Sequence, residues 1–135
     1  MQPWYNLVER QKFEGDLRDS ALRHGLAVFP FYSLANGFLT GKYRSKDDLG
    51  KSVRGLRNID YLEGKGMAVL AALDKIGAET GAAPATVALA WTMVHPAITA
   101  PIASATSIPQ LSELLAELEL TLTAEQLARL DAASA

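Results

Sequence analysis

The sequence predicts an α/β fold with about three parallel strands and flanking helices, and three observations carry that expectation. Apolar runs suited to strands stand at 4–8, 26–31 and 97–102. Each is followed by residues at the 3.6 spacing of an amphipathic helix. The resulting order, strand, helix, strand, helices, strand, helices, is the pattern of right-handed βαβ units.

Taken in order, WYNLV opens the chain as the first strand. A helix over 16–24 follows, with Leu17, Ala21 and Leu22 on one face and Gly25 as its C-terminal cap. LAVFPF at 26–31 is an uninterrupted apolar run, as in a strand buried on both faces. From 42 to about 60 the chain is polar, with Lys46, Asp47, Asp48, Lys51, Arg54 and Arg57, and without a period it is expected to be a mobile loop. Met67, Leu70, Leu73 and Ile76 then mark a helix over 62–79, broken by Gly81. Pro84 fits the first turn of a helix carrying Val87, Leu89, Ala90 and Met93, which His95-Pro96 ends. The third strand follows at 97–102. A helix starting near Ser107 would bury Leu111, Leu114, Leu115 and Leu118, and Thr123 with Gln126 forms a capping box for a last helix to about Ala132.

Composition narrows the class of protein. The 135 residues suit one domain, 1–135, and with 49% hydrophobic and 21% charged residues the chain can bury a core. No apolar run approaches the ~18–20 residues that span a bilayer. Without cysteine and without a visible signal peptide, the expectation is a soluble, cytoplasmic protein. A net charge of -2 gives no reason to expect a nucleic-acid partner. Two histidines without a carboxylate cluster make no metal site, and His24 and His95 suit helix ends better than catalysis.

One stretch invites a chemical reading: YSLANGFLTGKY, at 32–43. It is no P-loop, because three residues separate Gly37 from Gly41 where four are needed, and Lys42 is followed by Tyr43. The single G-x-G, Gly64-Lys65-Gly66, follows a polar stretch and lacks the third glycine of a dinucleotide fingerprint. What remains is a glycine-bearing loop after a strand, where backbone N–H groups can approach an anion. The alternative is a plain turn.

QPWYNLVER, FPFYSLANGFLTGKY, GAAPATVALAW and TAPIASATSIPQL together resemble ordered landmarks in the C-terminal half of aldo-keto reductases. The resemblance covers essentially the whole chain. It implies a partial (β/α)8 TIM-type barrel, strands six to eight with their helices, and an oxidoreductase that reduces aldehydes and ketones with NADP(H), with NAD(H) possible. By resemblance Tyr32 stacks on the nicotinamide, and Gln2 hydrogen-bonds its carboxamide. Ser33, Leu34, Gly37 and Leu39, with Gly41 and Lys42, line the pyrophosphate. Ile102, Ser104, Thr106 and Ser107, with Gln110 and Glu113, hold the adenosine end. Beside this stand blander roles: Tyr32 as a core aromatic, Gln2 as a terminal residue, Ser104, Thr106 and Ser107 as turn and capping residues.

Two departures from the family pattern bear on the cofactor. Residues 103–113 contain no Arg or Lys for the 2′-phosphate of NADPH, and Leu114 stands where many relatives have an adenine-contacting Asn. A third is larger. None of Tyr5, Tyr32, Tyr43 and Tyr61 matches the family's catalytic tyrosine, and its Asp, Tyr, Lys and His set precedes the matched segments. The expectation is therefore a cofactor-binding half, inactive alone. Open strand edges would favour a homo-oligomer or a complementing N-terminal half, and the other reading is a non-catalytic interaction protein that self-associates.

Overall fold

The computed structural model describes residues 1–135. Five α-helices dominate: α1 (Asp16–Arg23), α2 (Lys65–Thr80), α3 (Pro84–Met93), α4 (Ile108–Leu115) and α5 (Ala124–Ala133). Short 3₁₀ segments, among them Ala35–Thr40, Lys46–Lys51, Gly55–Leu62 and Ala116–Glu119, connect them.

No β-sheet forms, and a partial parallel-strand barrel does not describe this chain. The only pairing with strand character is one isolated parallel bridge between Trp4 and Phe31. The three segments expected as strands do lie beside one another. Phe31 N donates to Pro3 O at 3.0 Å, Thr99 N to Val28 O at 2.8 Å and Ile102 N to Pro30 O at 2.8 Å. Prolines, however, stand at all three: Pro30 and Pro101 lie within the second and third segments, and Pro3 immediately precedes the first. A proline has no N–H to give a ladder, so pairing is interrupted in all three. Nor is 26–31 buried on both faces: Val28 and Pro30 are buried while Leu26, Phe29 and Phe31 are exposed. The argument for self-association from open sheet edges lapses with the sheet.

The helices follow their local signals more closely. Helix α1 ends at His24, after which Gly25 takes φ 59°. Gly81, at φ 75°, closes α2 in the left-handed conformation that an L side chain resists. Pro84 occupies the first turn of α3. Thr123 accepts from Gln126 N at 3.2 Å while Gln126 Oε1 accepts from Thr123 N at 2.9 Å, so the capping box of α5 is complete.

Helix α3 is the centre. Every residue from Ala85 to Thr92 is buried, as expected of a helix apolar on all sides. Helix α2 packs Leu70, Leu73 and Ile76 into the same core, with Val69 replacing Met67 as its fourth fully buried member. Glu79 of α2 takes both guanidinium nitrogens of Arg129 of α5 at 2.6 Å. Trp91 of α3 donates to Asp131 of α5 at 3.0 Å. No helix is long and apolar enough to cross a membrane.

Two other expectations give way. The polar stretch 42–60 is folded into Lys46–Lys51 and Gly55–Leu62, with Tyr43, Leu49, Gly55 and Asn58 buried. A Cβ on Gly55 would lie 1.8 Å from Leu49 O, so the two short segments touch where only glycine fits. And the expected leucine stripe is not buried: Leu111 and Leu115 of α4 and Leu118 of the 3₁₀ segment after it are exposed, with Leu114 alone half-buried.

Candidate nucleotide-binding site

A cavity of about 530 Å³ opens between the segment after residue 31 and the turn leading into α4. Its first wall is Tyr32, Ser33, Leu34, Asn36, Gly37, Thr40 and Lys42. The second is Ile102, Ala103, Ser104, Thr106, Gln110, Glu113 and Leu114. Ser52, Val53 and Arg54 add to the lining, as does Ala85 at the start of α3.

The first wall is strained and tightly held. Tyr32, Ala35 and Asn36 have φ values of 66°, 48° and 56°, a left-handed conformation rare for residues other than glycine. Such backbone persists only where its surroundings impose it, and it clusters at ligand sites. Here those surroundings are explicit. Ala35, Phe38 and Leu39 are fully buried, anchoring the turn from below. Ser33, also buried, donates its hydroxyl to Pro30 O at 3.1 Å, and Thr40 donates to Gly37 O at 2.7 Å. Gly37, at φ 85°, makes room for Lys42, whose Nζ would stand 3.1 Å from a Cβ added there.

The second wall is made by local capping. Ser107 accepts from Gln110 N at 3.4 Å as the N-cap of α4. Thr106 turns both its backbone N–H and its hydroxyl to Gln110 Oε1, each at 2.9 Å. Thr86 of α3 donates to Glu113 O at 2.7 Å and ties α4 to the core.

Charge is asymmetric around the cavity. Arg44 and Lys51 are neutralised by Asp74 and Asp48, each at 2.6 Å. Lys42 and Arg54 have no carboxylate partner. The Lys42 ammonium stands 5.1 Å from the Tyr43 ring centre, and Ser52 beside Arg54 is hydrogen-bonded to the Tyr43 hydroxyl. Tyr61, behind this segment, donates to Glu9 at 2.8 Å. Burial, then that carboxylate, push its phenol above the ordinary range.

Ten of the residues singled out from the sequence meet at this cavity: Tyr32, Ser33, Leu34, Gly37, Lys42, Ile102, Ser104, Thr106, Gln110 and Glu113. Four do not line it. Gln2 is exposed near the chain start, Leu39 is buried in the core, Gly41 packs near Arg44 and Pro84, and Ser107 caps α4 from outside the wall. The sequence reading missed Asn36, Thr40, Ser52, Val53 and Arg54. Arg54 was within reach of it, because the charged stretch around it was visible. What was not visible is that this stretch folds against the glycine-bearing segment.

The Aldo/keto reductase family model matches residues 1–135. The chain belongs to the aldo/keto reductase family. It is 31% identical to L-glyceraldehyde 3-phosphate reductase of Escherichia coli (strain K12), over 96% of this chain and 40% of that protein. An uncharacterized oxidoreductase of Bacillus subtilis (strain 168) is 33% identical over 94% of this chain and 37% of its own. A probable voltage-gated potassium channel subunit beta of Oryza sativa subsp. japonica is 30% identical over 87% of this chain and 38% of its own. This aldo/keto reductase chain thus spans about two fifths of the curated relatives it matches.

Proposed function

We propose that this chain is the cofactor-binding, C-terminal portion of an oxidoreductase that reduces aldehydes or ketones with a nicotinamide nucleotide. The observation that supports it best is the cavity between 32–42 and 102–114, which joins an imposed left-handed turn to two unpaired cations. A cavity of about 530 Å³ is in the size range of small-molecule sites. Its donor set suits a phosphate-bearing ligand: the Ser104 hydroxyl, a glycine-bearing turn, one Lys and one Arg.

In this reading Tyr32 presents its ring to the nicotinamide, and Ser33, Leu34 and Gly37 line the pyrophosphate with Lys42. Thr106, Gln110 and Glu113 face the adenosine end. Arg54 supplies the cation that residues 103–113 lack, which favours NADP(H) over NAD(H). The bound nucleotide would supply a hydride to the carbonyl carbon. Polarising the carbonyl oxygen as charge develops needs a placed proton donor, and no residue of the cavity matches the family's catalytic set. Turnover therefore requires groups from outside 1–135, and the chain alone binds without reducing.

Titration of the purified chain with NADPH and with NADH, followed by Trp4 and Trp91 fluorescence, tests this. Saturable binding, tighter for NADPH and weakened but still measurable on Tyr32→Ala, is expected. A folded chain that binds neither nucleotide would favour the second reading, an interaction protein, which the exposed Phe29, Phe31, Leu111, Leu115 and Leu118 support.

A further inference from the structure

We infer that Asn6 is a positioning residue for this site: its buried carboxamide holds the left-handed backbone of Tyr32 and thereby sets where the Tyr32 ring stands. The inference rests on the reading that a nicotinamide nucleotide occupies the cavity. Asn6 does not line that cavity and is fully buried beneath it. Its side chain is committed at both ends. Nδ2 donates to Tyr32 O at 2.9 Å, and Oδ1 accepts from Val8 N at 2.9 Å and Glu9 N at 3.0 Å. One carboxamide thus ties the turn after the first extended segment to the first residue of the cavity wall, 26 positions away.

Tyr32 needs that tie. At φ 66° a large aromatic residue is a backbone outlier, and without a partner it would relax toward the allowed region. Its carbonyl receives two donors, Asn6 Nδ2 and Ala35 N at 2.9 Å, which together fix the orientation of the peptide plane. The ring is then set by packing: its centre lies 4.6 Å from Trp4 and 6.1 Å from Phe31. A shift of the Tyr32 peptide would turn the ring away from the cavity while leaving the core beneath intact.

Asn6→Asp isolates the tie. A carboxylate keeps the acceptor for Val8 and Glu9 but loses the donor to Tyr32 O. NADPH affinity would be measured for wild type, N6D, Y32A and the double variant, with thermal melts of each. We expect N6D to bind about tenfold more weakly, the equivalent of ~1.4 kcal/mol, and this loss to vanish in the Y32A background, where there is no ring to position. Affinity of N6D should recover as pH falls and the introduced carboxyl becomes a neutral O–H donor. Should N6D fail to fold, N6S is carried through the same cycle. A folded Asn6 variant that binds as wild type does, or whose loss is the same with and without the Tyr32 ring, overturns the positioning role. If wild type binds neither NADPH nor NADH, the nucleotide reading itself has failed.

Discussion

The two walls of the cavity are built on opposite principles. Residues 32–42 hold a conformation their own chemistry disfavours, and they hold it because Ala35, Phe38 and Leu39 are rooted in the core and Asn6 grips the backbone. Residues 102–114 lean less on the core: apart from the Ile102 N–H on Pro30 O and the Thr86 hydroxyl on Glu113 O, their side chains cap their own turn, and nearly all of them are exposed. The first wall is thus preformed and intolerant of change, the second local and replaceable. A preformed wall loses little freedom on binding, so it suits the invariant end of a ligand.

The largest expected effect breaks the first wall at its root. Phe38→Ala removes a fully buried ring packed 5.3 Å from Tyr61 and should cost about 3–5 kcal/mol in denaturant unfolding. Leu111→Ala on the exposed side of α4 should stay within about 0.5 kcal/mol of wild type. Equal losses at the two positions would dissolve the contrast.

Next comes charge. Arg54→Gln should weaken NADPH by roughly ten- to a hundredfold, as expected for loss of one charge-assisted phosphate contact of ~1.5–3 kcal/mol, and change NADH little. Isothermal titration with each nucleotide decides it, and equal losses for both would move Arg54 away from the 2′-phosphate.

The smallest effects are in pH, and they have opposite signs on the two sides. Near the first wall, the Lys51 side chain and then the Arg44 N–H hold the Asp48 carboxyl down at about 2. A depressed acid contributes stability above its unfolded pKa of 3.8, and the contribution is lost as pH falls toward 2. Beyond the second wall, burial alone raises the Glu117 carboxyl, whose Oε2 has no partner. A raised acid favours the native state in its protonated form, so that contribution is present at low pH and lost as pH rises past the unfolded value of 4.5. Glu117→Gln should therefore raise the Tm slightly at pH 7 and not at pH 4. Asp48→Asn should lower it at pH 7 and lose its effect near pH 2.

The same contrast explains what the sequence disclosed. Signals carried within a few residues were legible: the Thr123–Gln126 capping box, Pro84 opening α3 and Gly81 closing α2 all formed where expected. The Ser107 N-cap that opens α4 was legible for the same reason. Expectations that depended on partners distant in the chain fared worse. Apolar content at 26–31 was visible, but the interruption of pairing by Pro3, Pro30 and Pro101 outweighed it. The charged stretch around Arg54 had no helical period, because its two short segments are held by Tyr43, Leu49 and Gly55 packing rather than by an amphipathic stripe. Asn6 carried no signal at all: a single Asn bonding across 26 positions is invisible until the chain is folded.

The central claim is that one nucleotide spans both walls, and amide chemical-shift mapping of the isotope-labelled chain with NADPH tests it most directly. The account predicts saturable shifts at 32–42 and at 102–113 with one shared Kd, and a further set around Arg54. Shifts confined to one wall, or centred on the separate cleft beside Arg10 and His95, would contradict it.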